Sequence, residues 1–163
     1  MKTIALIAIL TLSFTGVKAQ TKVAHINTDA LIAMMPETIA LKSKLEKLGK
    51  TYDDEVKAKQ EQLKAKFEKY NAEFKSQTEA TNAERTKEVQ LESQKIEQFK
   101  AEAMRDLQKQ EQEGLKPILE KAQKAIDEVA AAQGYEYVLN AAMLVVAKGK
   151  DLLPDVKAKL GIQ

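Results

Sequence analysis

FKSQTEATNAERTKEV, residues 74–89, lies midway along a run of charged, helix-favouring sequence and contains neither Gly nor Pro. The fold turns on how the chain passes through it, straight on as one very long helix or back on itself as a hairpin. Before it, Leu41, Leu45, Leu48, Tyr52, Val56, Leu63, Phe67, Tyr70 and Phe74 recur at intervals of three, four or seven among Lys, Glu and Gln. That is one narrow apolar seam on a solvated helix, enough to cover one partner helix and little more. Continued at heptad spacing, the seam calls for apolar residues where the chain has Gln77, Thr81, Glu84, Glu88, Leu91 and Lys95, and only Leu91 fits. A new seam begins at Val89 and runs through Ile96, Phe99, Ala103, Leu107, Leu115, Ile118, Ala122, Ile126 and Val129. The phase is broken inside the stretch. Thr81, Asn82 and Glu84 fit a capping box that opens a second helix, with Asn82 tolerant of unusual backbone angles, so a hairpin tip is predicted near residues 77–83. A coiled-coil stutter within one continuous helix is the alternative.

Geometry supplies a second reason for a hairpin. A continuous helix over residues 37–133 would be about 145 Å long at 1.5 Å per residue and would separate a short N-terminal strand from the strands that follow. TKVAHIN (residues 21–27), with Val23 and Ile26, reads as that first strand, closed by Asn27 and Thr28 as candidate caps of a brief helix over residues 29–35. Pro36 then ends that helix and opens the next at its first turn. Two later segments, YEYVLN (135–140) and MLVVA (143–147), are set off by Gly134 and joined by the tight Ala141-Ala142 link, and they read as a strand hairpin. A lone strand is unstable, whereas three make a small sheet, which a hairpin assembles within one chain and a straight helix only by exchanging strands between chains. A short helix around residues 152–160 ends the chain. Gly114 and Pro117 fall inside the returning helix and predict a bend or weak point where the helical arm joins the body. The predicted class is α+β, mostly α: a long antiparallel coiled-coil hairpin over residues 37–114, attached to a small β-sheet body formed by residues 20–36 and 115–163.

With only 5% aromatic residues, 31% charged residues and no Trp, the chain cannot fill a large globular core. Residues 1–19 read as an export leader. Lys2 supplies the positive end, residues 4–14 the apolar run, and Val17-Lys18-Ala19 the cleavage site before Gln20. The mature chain is therefore expected in an exported, soluble form. It has no Cys, so its stability must come from packing or from oligomerisation. Residues 1–19 carry Lys2 and Lys18 and no acid, and without them the 26 basic residues fall to 24 and match the 24 acidic ones. That balance argues against nucleic acid as a partner and gives no charge-based reason for membrane contact. No cofactor or metal is expected. His25 stands alone without Cys or a second His, and Asp53-Asp54-Glu55 points in different directions on a helix with no calcium loop after it. No phosphate loop, dinucleotide fingerprint or nucleophile elbow appears, so an enzyme is not expected.

The order of parts resembles the Skp (OmpH) family of periplasmic chaperones. The likeness runs from a strand like TKVAHINTDALI, through an ATNAER-like tip, to LKPILEKAQKAIDEVAAAQGYEYVLN and a terminal helix. Its most specific pieces are Lys116, Pro117, Ile118, Gly134, Tyr135, Val138 and Leu139, together with the opening strand and helix. The resemblance implies a homotrimer with helical tentacles around a cavity. It also implies an ATP-independent holdase that encloses unfolded outer-membrane proteins in the periplasm, with no catalytic residues. On that basis Val23, Ile26, Tyr135, Tyr137, Val138, Leu139, Leu144, Val145 and Val146 are the expected oligomerisation residues. Ile39, Phe67, Leu91 and Met104 are the expected client-facing apolar residues, and Gly114 and Pro117 form the arm hinge. A structural coiled-coil spacer of the cell envelope is the alternative function.

Overall fold

The computed structural model describes residues 22–162, and the expected export leader lies outside them. The chain opens with strand β1 (Val23–Ile26), followed by helix α1 (Thr28–Met34). Asn27 caps α1, its side-chain oxygen accepting from the Ala30 N–H at 2.9 Å. Met35 is extended because Pro36 follows it, and this single residue separates α1 from helix α2 (Pro36–Glu73), which has Pro36 in its first turn. After a tight turn the chain returns in helix α3 (Glu79–Gln133). The 38 residues of α2 and the 55 of α3 correspond to about 57 Å and about 82 Å of helix. Residues 74–89 thus reverse the chain, and the two helices form the long hairpin.

The turn lies slightly earlier than the sequence predicted. Phe74–Ser76 make one 3-10 turn, Gln77 is extended, and Thr78, not Thr81, is the cap of α3. The Thr78 hydroxyl oxygen accepts from the Thr81 N–H at 3.2 Å. Thr81 and Glu84 therefore lie within the helix, and the expected capping box is not used. Both threonines have the local chemistry of a cap. Starting at Thr78 lengthens the helix by Glu79, Ala80 and Thr81 and places the Glu79 carboxylate at the positive end of the helix dipole. Asn82 does not adopt an unusual backbone. It lies in the helix, and its side-chain amide donates to the Phe74 carbonyl at 3.0 Å, closing the loop. The reversal needs no Gly because no residue in it takes a positive φ.

Strands β2 (Tyr137–Asn140) and β3 (Lys150–Asp151) complete a three-stranded sheet in the order β2-β1-β3, and both pair with β1 in parallel. The expected strand hairpin is therefore corrected. Residues 143–147 form no strand, because a third strand parallel to β2 obliges residues 141–149 to carry the chain back along the sheet. The Asn140 side chain starts that return by accepting from the Ala142 N–H at 3.0 Å. Helix α4 (Leu153–Leu160) follows β3 at once.

One face of this sheet is covered by helices. Ala24 and Ile26 point from β1 into a core with Leu31 and Met35, the Ile118, Ala122, Ile126 and Val129 stripe of α3, and Leu152 and Val156 from the C-terminal segment. Leu152 and Val156 are fully buried, and each such side chain contributes about 1.5–3 kcal/mol. No polar residue is buried among the described residues. Gly134 ends α3 with φ +70°, and the Tyr135 N–H donates back to the Ala130 carbonyl, so Tyr135 turns onto the core and β2 can begin.

Gly114 and Pro117 do not interrupt α3, which continues through both. Gly114 has a packing role: a Cβ there would stand 2.4 Å from Cδ1 of Leu41, so the glycine lets α2 approach closely where the arm meets the body. Replacement by Val is expected to destabilise the fold by about 2 kcal/mol through overpacking. Leu41→Ala in the same chain should recover part of that loss, because the isobutyl group is what the new side chain meets. Urea unfolding of the four members of this cycle checks it, and independent effects of the two substitutions would contradict the close approach.

Candidate functional site

Two surfaces are built by this fold, the uncovered face of the sheet and the flanks of the arm. Successive strand residues alternate between faces, so Ala24 and Ile26 face the helices while Val23 and His25 face away. Register extends this second face across the sheet, since Val23 pairs with Tyr137 and His25 with Leu139. Val23, Tyr137 and Leu139 are all substantially exposed, and the extended return after β2 adds Met143, Val145 and Val146. Val145 is 101% exposed, with no neighbour covering it. The expected oligomerisation set therefore divides. Ile26, Tyr135 and Val138 pack on the chain's own core, and Leu144 is half-buried. Val23, Tyr137, Leu139, Val145 and Val146 lie on the open side. Met143 belongs with them and was missed by the sequence reading, although its place in MLVVA was the available signal.

His25 lies on this open face, in line with Leu139 and Asp151. Its Nδ1 is 4.0 Å from Asp151 Oδ1 and has no hydrogen-bond partner among the described residues. No cluster of metal-binding side chains occurs among the described residues. None of their helices is long and apolar enough to cross a membrane.

Along the arm the seam is narrower than the sequence implied. Leu41, Leu45, Leu48, Tyr52, Val56, Leu63 and Tyr70 are only half-buried, and α2 has no fully buried residue. Phe67 and Phe74, read as seam positions, are exposed at 56% and 58%. They lie one heptad apart on the flank, because Leu63 and Tyr70 take the positions that face α3. Ile39, Leu91 and Met104 are also exposed, and Met104 is the most open of these at 66%. Tyr52 meets Phe99 edge-on at 5.9 Å between ring centroids, and its hydroxyl donates to Asp106 at 2.8 Å.

Ion pairs fasten the elements together. Lys121 on α3 donates to Glu37 on α2, and Lys159 on α4 donates to Glu128 on α3 at 2.7 Å. Asp155 accepts from Gln133 and from Lys150, both at 2.8 Å. The hydrogen bond from Lys121 holds the Glu37 carboxyl below its ordinary value, and that from Lys159 does the same for Glu128. For Asp155 the bond from Gln133 is the larger cause and that from Lys150 the second. The links between arm helices, Lys66 to Glu88 and Glu92 and Arg85 to Glu73, were also missed. Their signal was charge of opposite sign flanking the two seams.

Comparison with known proteins fits this architecture. The family model described as outer membrane protein (OmpH-like) matches residues 22–160. The chain belongs to this OmpH-like family. A solved structure of an OmpH-like protein from Caulobacter crescentus CB15, named as an outer membrane chaperone, has a TM-score of 0.79 to this chain. The similarity covers 87% of this chain and 85% of that one at 15% identity, a likeness of fold. No curated protein matches.

The ion pairs give this OmpH-like chain a defined response to acid. Each of the three carboxylates titrates lower in the folded than in the unfolded chain, so the unfolded state takes up protons first as pH falls. The stability they add is complete above their ordinary values of 4.5 for Glu37 and Glu128 and 3.8 for Asp155, and it is lost as pH falls through the folded values. Thermal midpoints should be level from about pH 7 to about pH 5 and then fall. Glu37→Gln with Glu128→Gln should flatten that fall. An equally steep decline in the double variant would remove the Glu37 and Glu128 pairs as its source.

Proposed function

We propose that this chain is an ATP-independent holdase chaperone of the periplasm that retains unfolded outer-membrane proteins between its helical arms. Membership of the OmpH-like family supports an envelope role, and the likeness to the Caulobacter chaperone supports the arm-and-body architecture. The observation that carries the reading is the scatter of exposed Ile39, Phe67, Leu91 and Met104 along a long charged hairpin. Each offers a patch of exposed apolar surface, suited to weak contact with many sequences. A spacer with the same coiled coil would do better with polar flanks, so these residues favour the chaperone.

In the proposed assembly three chains join through the open face of the sheet. A sheet with apolar residues on both sides buries both, and here the chain covers only one. Three arms tethered to one body turn weak contacts into retention through effective concentration. Pro117 has no N–H to offer the turn before it, which makes the arm's root the place where an arm splays to admit a client. Release needs no nucleotide when the client's own folding competes with such contacts. The balanced charge of the mature chain assigns no part to nucleic acid.

The test mixes the mature protein with a urea-unfolded outer-membrane barrel and follows aggregation and particle mass by light scattering. Suppressed aggregation and a three-chain mass at micromolar concentration are expected. Leu139→Asp with Val145→Asp should give single chains with unchanged helix content. Single Ala substitutions at Ile39, Phe67, Leu91 or Met104 should each raise the protective concentration by less than about threefold, and all four together by more than about tenfold. A monomeric wild type, or no protection, favours the spacer. A single arm substitution that abolishes binding while the trimer persists overturns the distributed contact.

A further inference from the structure

The arm is not fastened in the same way along its length. The fully buried positions of α3 begin at Ile96, and α2 has none, so the outer ends of the two helices share no buried residue. Beside the half-buried Leu63, Tyr70 and Val89, what joins them there is polar. Lys66 donates to Glu88 at 2.8 Å and also to Glu92, while the Tyr70 hydroxyl donates to the other Glu88 oxygen at 2.7 Å. Arg85 donates to Glu73 at 2.7 Å, with its guanidinium 4.5 Å from the centre of the Tyr70 ring. Glu88 thus holds two groups of α2, and Lys66 holds two of α3. Beside this chain of bonds lies a cleft of about 260 Å³ between the helices, walled by Phe67, Tyr70, Phe74, Arg85 and Val89.

We infer that the outer end of the hairpin is an ionic clasp, which parts as ionic strength rises while the rest of the arm stays paired. The clasp side chains are between 18% and 46% exposed, close enough to water for salt to reach them. The screening length falls from about 10 Å at 0.1 M salt to about 3 Å at 1 M, comparable to the separation of the paired atoms. The hydrogen bonds from Lys66 and Tyr70 hold the Glu88 carboxyl below its ordinary value, so it remains charged at neutral pH and salt is the effective lever. Lys95 and Lys59, which line the groove on the Lys66 side, carry positive charge along the same edge and do not replace the shared bonds. Nearer the body, Ile96 and Ala103 are buried and Tyr52 packs on Phe99, contacts that salt does not weaken. Opening the clasp adds Tyr70 and Val89 to the apolar strip that Phe67 and Phe74 already expose. The device stands whether or not the arm receives unfolded chains.

Hydrogen exchange of the full mature chain, read by mass spectrometry in about 0.05 M and about 1 M NaCl, tests it. Peptides from residues 60–95 should exchange roughly fivefold faster in high salt, and those from residues 104–130 at an unchanged rate. Lys66→Gln with Glu88→Gln should give the fast rate already in low salt and lose most of the response. An unresponsive outer arm, an equal response in both regions, or a double variant that behaves like wild type overturns the clasp. The wild-type comparison decides the matter even without the variant.

Discussion

One helix, α3, is shared by both parts of this molecule, and its two apolar faces must keep the right angle between them. In the arm its fully buried residues are Ile96 and Ala103, one heptad apart, which is the spacing of a seam against one partner. From Ile118 onward they crowd to Ala122, Ala125, Ile126, Val129 and Ala130, a broad face that roofs the sheet. Because α3 is unbroken between these regions, the arm leaves the body in a direction set by the helix itself. One residue inserted between Ala103 and Ile118 would rotate the sheet-facing side by about 100° relative to the seam. Gly114 lies in this interval and lets Leu41 come close, so α2 follows the same direction as it leaves the body.

The body is half of a layered structure. Helices cover the side of Ala24 and Ile26, and the buried set there is wholly apolar, so that face is complete within one chain. The opposite face carries Val23, Tyr137 and Leu139 with no helix over them. Parallel pairing accounts for the unusual return after β2. To place β3 beside β1 in the same direction, the chain must run back along the sheet, and it does so through Val145 and Val146 in the open. The exposed apolar residues of the body thus follow from the topology.

Much of this was legible because periodicity encodes facing. The loss of heptad phase between Phe74 and Val89 marked the reversal, and the Gly134 stop and the Pro36 start were read from local chemistry. The cap was placed three residues late because Thr78 and Thr81 offer the same hydroxyl, and only the closure by Asn82 distinguishes them. Strand direction was not legible. Alternation tells which side chains share a face and not which way the neighbour runs. β3 was invisible for a related reason, since Lys150 and Asp151 join the sheet through backbone groups and have exposed side chains. Phe67 and Phe74 matched the seam because a heptad count alone does not separate the facing position from its flank.

The arm grades from apolar cohesion at its root to polar cohesion at its tip, and the composition explains the gradient. Each helix presents a single stripe, and a residue that serves the seam is unavailable to any other contact. Toward the tip the two phenylalanines lie on the flank, where Phe67 and Phe74 are open, and much of the pairing is taken up by Lys66, Glu88, Tyr70 and Arg85. Solvated polar pairs contribute little individually. They gain here by sharing atoms and by acting next to a covalent turn, which keeps the two helices close even when a pair breaks. An arm built this way can expose apolar surface at its end without losing its alignment, because alignment is set at the root by Leu41 against Gly114 and by Tyr52 against Phe99.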